Sequence, residues 1–195
     1  MPIRAESLHI EILDQETVAP HLSQLLMPDG MRPHLQGQME RRGLRVAALF
    51  IGDRLVANGI WNPDSPTRED TLRHIPHGTP SISMVETREG YRGNGFATLV
   101  LEAICNRLRE EGYSHTYLVA NPADTYERPG EGAQSLDAFY TGRGFENWGR
   151  GPIPLIHHPA DETQAAEGDT VNVYVKSLIP DVAATAILLT PPAGT

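Results

Sequence analysis

Thr87 to Asn121 reads TREGYRGNGFATLVLEAICNRLREEGYSHTYLVAN, and this stretch decides the fold. It opens on a glycine-rich turn, Tyr91-Arg92-Gly93-Asn94-Gly95-Phe96-Ala97. A helix follows over 96–111, because Ala97, Val100, Leu101, Ile104 and Leu108 recur three or four apart as one apolar stripe. Gly112 is a natural stop for it, and 114–120 (SHTYLVA) reads as a strand. The turn has chemical meaning. Gly93 and Gly95 let the backbone bend and approach a ligand closely. The first amides of a helix lack intrahelical acceptors and lie at its positive dipole end. With Arg92 at the rim, the turn is a cradle for a phosphate or pyrophosphate. It lacks the Gly-Lys-Ser/Thr of a nucleotide P-loop, and Thr98 stands where a dinucleotide fingerprint needs a third small residue. The plain alternative is a turn that only joins strand to helix.

Outward from this stretch the chain alternates strands and helices. Upstream, 81–87 (SISMVET) is a strand, and 62–80 is a polar, proline-rich loop. Two apolar runs, 44–51 (LRVAALFI) and 54–61 (RLVANGIW), flank Gly52-Asp53 as a β-hairpin. Residues 7–13 (SLHIEIL) form a strand with Leu8, Ile10 and Ile12 on one face. Asp14 caps a first helix through Val18, Leu22, Leu25 and Leu26, and Pro33 opens a second with Leu35 and Met39 buried. Downstream, 121–132 is a loop, 134–141 a short helix ended by Gly142, and Phe145 begins a strand. The segment 152–169 wanders, and 170–178 (TVNVYVKSL) is a final strand. The order β-α-α-β-β-β-α-β-α-β-β is that of an α/β chain with a hairpin inside it.

The segment 87–121 resembles the acyl-CoA-binding motif of the GNAT acyltransferase superfamily, whose Arg/Gln-x-x-Gly-x-Gly/Ala signature is met by Arg92, Gly95 and Ala97. SLDAFYTGRGF resembles that family's second motif through Phe139-Tyr140 and Gly144-Phe145, and VNVYVKSL its last strand. The resemblance implies a central, mostly antiparallel mixed sheet with a splayed parallel strand pair and helices on both faces. It implies one GNAT-like domain over 1–178, with 179–195 as a C-terminal tail. It also implies acetyl-CoA as acyl donor and no metal. The pantetheine arm then meets backbone groups of Val85 and Thr87, where strands 81–87 and 114–120 part. Arg92, Gly93, Asn94, Gly95, Phe96 and Ala97 hold the pyrophosphate, and Asn121 touches the cofactor. Tyr140 is the acid for the departing thiol and lies beside the cofactor, its plain alternative being a half-buried helix tyrosine. Glu86 is the candidate base, against the alternative of a solvent-facing carboxylate, and Ser83 a candidate holder of water.

Charge and composition set the partners. The 195 residues carry 16 Lys+Arg against 25 Asp+Glu, a formal charge of −9. Such a surface repels nucleic-acid phosphate and is not drawn to anionic membranes. No run nears the roughly 18 apolar residues of a membrane span, so a cytoplasmic address is expected. The single cysteine, Cys105, excludes an intrachain disulfide and reads as a core residue. His157-His158 lacks a carboxylate at ligand spacing, and His74 and His77 read as surface residues. The expected acceptor is a small-molecule primary amine, drawn in by Asp124, Glu127 and Glu131 of the loop 121–134. Alternatives are a protein N-terminus or lysine as acceptor, or a non-catalytic acyl-CoA-binding module. The apolar AATAILL of the tail is expected to pack on the body or across a homodimer partner.

Overall fold

The hairpin shows first why the chain builds layers. In the computed structural model, which describes residues 8–63, 75, 78–120, 125–128, 132–152 and 170–179, β2 (Arg45–Ile51) and β3 (Arg54–Asn62) pair antiparallel across Gly52-Asp53. Every β3 residue after Arg54 is buried, which requires cover on both faces of the sheet. β1 (Leu8–Leu13) adds to β2, and β4 (Ser81–Thr87) to β3. β5 (His115–Ala120) follows β4. A small separate hairpin, β6 (Thr125–Arg128) with β7 (Gly132–Ser135), stands apart from the main sheet. β8 (Glu146–Pro152) and β9 (Thr170–Ser177) complete a seven-stranded sheet of order β1-β2-β3-β4-β5-β9-β8. All its pairings are antiparallel except β4 with β5.

Helices cover both faces, as the sequence implied. α1 (Arg32–Arg42) packs Leu35 and Met39 on the face of Val46, Ala48, Phe50 and Ile60. Pro33 sits in its first turn, and Gly43, with φ of 65°, closes it by donating its N–H to Met39 O. α2 (Phe96–Glu110) covers the other face, with Val100, Leu101, Ile104 and Leu108 against Ala47, Ala57 and Trp61. It crosses β3 at Gly59, where a Cβ would come within 2.7 Å of Val100 Cγ1 and Ile104 Cδ1. Its C-terminal end is tied to the start of β2 by an ion pair between Arg45 and Glu111. Among the described residues, no helix is long and apolar enough to cross a membrane.

Two local readings differ. No α-helix follows Asp14. Its carboxylate instead accepts from the Glu16 and Thr17 amides and the Thr17 hydroxyl, and a 3-10 turn spans Ala19–His21. Pro20 explains this: inside a longer helix its ring would clash with a carbonyl one turn back and remove a donor. Val18 and Leu25 are still buried, so the apolar spacing located core residues without a helix to carry them. The segment expected as a loop over 121–132 contains β6 and part of β7. Leu8, Ile10 and Ile12 do share one face, on the side of the sheet of Ala47 and Leu49, but at its edge, which leaves all three side chains exposed.

Candidate active site

The parallel pair is short. β4 and β5 are bonded only at Ser81↔Tyr117 and Ile82↔Leu118. Beyond that point each strand stays with its outer neighbour: β4 keeps β3 as far as Ala57↔Thr87, and β5 keeps β9 as far as Ala120↔Asn172. The two therefore part from Ser83 onward. The apex is pinned by Pro80, whose carbonyl accepts from Tyr117 N–H and the Thr116 hydroxyl. A register shift between Ile60 and Trp61 on β3 lies opposite this apex, and such an irregularity sharpens local twist. Val85 and Thr87 pair with Gly59 and Ala57, so they face α2, while Met84 and Glu86 pair with Ile60 and Asn58 and face α1. Ser83 sits at the shift and points its hydroxyl to Ile60 O at 3.4 Å.

From Thr87 the chain runs into the glycine turn. Arg88 N–H bonds Val56 O, and a 3-10 turn spans Glu89–Tyr91. Tyr91 packs near Phe96 under the Arg54 guanidinium. Gly93 and Gly95 both have φ of 79°, a conformation few other residues adopt. The Asn94 side chain donates to Tyr91 O and Arg92 O, which fixes the turn from inside. No backbone hydrogen bond among the described residues uses the amides of 93–97, whereas Thr98 and Leu99 already donate to Gly95 O. A Cβ at Gly95 would meet nothing within 4 Å. This is an open nest of donors at the positive end of a 15-residue helix. Phe96 is buried, so it offers only its amide, and the exposed Arg92 donates through Nε to Thr87 O at 3.3 Å. That bond holds one of the carbonyls expected to meet the pantetheine.

Glu86 lies on the α1 side of the gap and is exposed to solvent, as its plain alternative expected, though partly desolvated by its surroundings. Desolvation raises its carboxyl above the ordinary carboxylate value, with Arg92 pulling the other way. Tyr140 lies on the α2 side, on α3 (Leu136–Thr141). Its ring meets Phe139, Phe145 and Tyr174, the last at 5.2 Å between centroids. Tyr174 pairs with Leu118, the last β5 residue bonded to β4, so Tyr140 stands beside the apex. Gly142 follows Thr141 as the C-cap of α3, as expected, with a still helical φ of −62°. Gly144, at 78°, then turns the chain away: Gly144 N–H bonds Thr141 O and Phe145 N–H bonds Tyr140 O, a Schellman pattern that stacks Phe145 on Tyr140. Ser135 caps the other end by accepting from Ala138 N–H. Arg143 docks α3 to α2 through Thr98 Oγ1 at 2.8 Å and covers the Phe139 ring. Asn121 and the side chains of Asp124, Glu127 and Glu131 lie outside the described residues. So do His74, His77, His157, His158 and residues 180–195 of the tail. Cys105 is buried in the α2 core, its thiol pushed up by desolvation. Among the described residues, no group of three or more His, Cys, Asp or Glu side chains is placed to hold a metal.

Sequence reasoning missed a small recess beside the apex, with space of about 20 Å³, enough for a water. It runs between α1 and the β3–β4 pair, and its lining includes Leu35, Gln38, Arg42, Ile60, Asn62 and Met84. The signal was present in β3, where Asn58 and Asn62 interrupt an otherwise apolar strand. Asn58 is fully buried and holds the backbone of Leu26 through both its amide atoms, bringing the N-terminal segment over the sheet. On the α2 face a separate network joins the Tyr174 hydroxyl and the Asn147 amide on Asp137 Oδ1, at 3.1 and 2.6 Å.

The acetyltransferase (GNAT) family model matches residues 22–128, more than half of the chain. Among solved structures, the chain is similar to a GNAT family acetyltransferase from Elizabethkingia anophelis with acetyl-CoA bound, at TM-score 0.58 and 11% identity, covering 88% of this chain and 99% of that one. The IAA acetyltransferase from Bacillus cereus aligns at TM-score 0.56 and 14% identity, over 88% and 99% of the two chains. The ribosomal-protein-S18-alanine N-acetyltransferase from Escherichia coli aligns at 0.55 and 11%, over 88% and 94%. At such identities the likeness establishes the fold. No curated protein sequence matches the chain.

Proposed function

The chain belongs to the acetyltransferase (GNAT) family, and from that premise we propose that it moves an acetyl group from acetyl-CoA to the primary amine of a small molecule by direct attack. The observation that carries the reading is that two sets of unpaired backbone groups follow one another in the chain. The first is the β4 edge released from β5 after Ile82, and the second is the run of amides over 93–97. An amide-bearing arm with a pyrophosphate at its end matches both, adding as a strand to the first and as an anion to the second. In this reading Val85 and Thr87 bond the pantetheine, and Asn121 lies against it. Arg92, Gly93, Asn94, Gly95, Phe96 and Ala97 hold the pyrophosphate.

The thioester then lies toward the apex, between Glu86 on one face and Tyr140 on the other. Direct attack needs this division, since the amine must lose a proton on its side while the sulfur gains one on the opposite side. Glu86, directly or through water, takes the proton of the incoming ammonium. The nitrogen lone pair attacks the thioester carbon, the C–N bond forms as the C–S bond breaks, and Tyr140 donates its hydroxyl proton to the sulfur. The proton left on the acylated nitrogen restores the Tyr140 hydroxyl and Glu86 passes its own to solvent, so the products are an amide, a free thiol and one proton. The raised carboxyl of Glu86 suits a base better than an ordinary carboxylate does.

Thiol release from acetyl-CoA across a panel of small amines tests this, with calorimetric titration of coenzyme A alongside. Tyr140→Phe is expected to lower kcat by about 10²-fold or more while leaving coenzyme A affinity in place. No heat with coenzyme A overturns the reading. Heat without turnover of any amine or peptide leaves a binding module, and preference for peptide amines moves the acceptor to protein.

A further inference from the structure

β1 forms one edge of the main sheet and is bonded to β2. Among the described residues, no strand pairs with its outer side. Leu8, Ile10 and Ile12 are 37%, 36% and 37% exposed, and apart from Ile179 they are the large apolar side chains left exposed among the described residues. They make a row on the face of Ala47 and Leu49. His9 and Glu11 alternate with them and take the other face, where the His9 ring stacks on Phe50 at 5.3 Å between centroids. Glu11 lies there between His9 and His21, at 3.3 and 3.7 Å. An edge strand with an apolar face and an open row of backbone donors and acceptors is a template for another strand.

Parity decides which strand fits. A second copy that extends the sheet antiparallel, across a two-fold axis normal to it, keeps each face on its own side. Residues of equal parity must then stand opposite one another, so the axis passes through a residue and not between two. An axis at Glu11 sets two carboxylates opposite each other, and one at His9 matches only Leu8 to Ile10. An axis at Ile10 matches the whole run Leu8-His9-Ile10-Glu11-Ile12. Leu8 then faces the partner's Ile12, Ile10 faces the partner's Ile10, and His9 faces the partner's Glu11. Apolar meets apolar on one face and imidazole meets carboxylate on the other, each pair twice by symmetry. Such cross-strand pairs stabilise a sheet, whereas like charges opposite one another weaken it. We propose that β1 is a homodimer surface, pairing antiparallel with β1 of a second copy about Ile10 so that the two seven-stranded sheets become one. A pair of six-residue strands is a small interface, which places dissociation in about the micromolar range. β2 and β3 separate β1 from β4, so each copy keeps its own gap.

Sedimentation velocity of the full chain from about 1 to 100 µM tests this, the expected result being a reversible monomer–dimer equilibrium. Ile10→Lys puts two ammonium groups at the axis and should weaken association by at least about tenfold. Its melting temperature should hold, because the side chain it replaces is already exposed. Mild oxidation reads the register without relying on that variant. Ile10→Cys should give a disulfide-linked dimer, and Leu8→Cys should not, since the two copies of residue 8 stand four residues apart across the pair, about 13 Å. The native Cys105 is buried and does not compete. His9→Glu should also weaken the dimer, by setting carboxylate against the partner's Glu11, and adding Glu11→His should restore it. A chain that stays monomeric at the highest concentration overturns the proposal, as does a dimer indifferent to Ile10→Lys or one linked through Leu8→Cys and not through Ile10→Cys. A monomer that dimerises only once residues 180–195 are removed overturns it as well, and gives the apolar row to the AATAILL segment of the tail. None of these readouts involves acetyl-CoA, so their failure leaves the acetyltransferase reading standing.

Discussion

At the scale of single residues, Glu86 is where stability and activity pull apart. Its carboxyl is raised by desolvation, so the folded protein holds the proton more tightly than the unfolded chain does. Its contribution to stability is therefore complete below the unfolded value of about 4.5 and is lost as pH rises through the folded one. A base must be ionised, so the acid limb of kcat/KM is expected above the ordinary carboxylate range. Glu86→Gln should remove that limb and lower kcat/KM, while thermal melting at neutral pH stays level or rises. A variant with the wild-type pH profile would show that Glu86 is a bystander. Asp14 shows the opposite shift, lowered first by the Thr17 hydroxyl and then by the Thr17 amide, although it serves a turn and not the site. Residue type was legible in the sequence at both positions. Which face Glu86 takes was not, because alternation along a strand gives parity but not which side holds the substrate.

At the scale of elements, two glycines set the positions of the helices that flank the gap. Gly59 lets α2 lie directly on β3. An alanine there would press a methyl within 2.7 Å of Val100 Cγ1 and Ile104 Cδ1. Ile104 can swing its terminal methyl, but the branched Val100 cannot yield as readily. Gly59→Ala should therefore cost about 1–3 kcal/mol, measured by denaturant unfolding with an unchanged m-value. Gly144 acts on α3. Its φ of 78° closes the Schellman cap that stacks Phe145 on Tyr140, and a methyl there would find Lys176 Cε at an ordinary 3.9 Å. Conformation and not space is thus the obstacle. Gly144→Ala should destabilise by about 1 kcal/mol and lower kcat beyond what that loss explains, with KM for acetyl-CoA nearly unchanged, since the ring it loosens is Tyr140. The pairing of Phe-Tyr with Gly-Phe was visible in the sequence. That it is one cap, with Gly144 and not Gly142 at its turn, needed the backbone angles.

At the scale of the whole molecule, the gap exists because β4 and β5 each remain bonded to a different partner while parting from one another. A ligand that adds to both edges ties the two halves of the sheet together and must stabilise the fold by mass action. At a coenzyme A concentration of 100 times Kd the gain is about 2.7 kcal/mol, expected as a rise of several degrees in melting temperature. Gly95→Asp places a carboxylate in the donor nest at a backbone angle that disfavours it and should abolish that rise without unfolding the protein. A shift of equal size in the variant would put the anion elsewhere. The sequence by itself determined the order of the seven main-sheet strands and of α1, α2 and α3, the glycine turn at the mouth of α2 and the core stripe of that helix, since these follow from local periodicity and backbone preference. Tertiary structure alone decided that β4 and β5 pair for only two residues and that Glu86 and Tyr140 lie on opposite faces of the sheet at the gap. Those facts depend on which distant strands and helices compete for the same edges and faces, and no local window of sequence contains that competition.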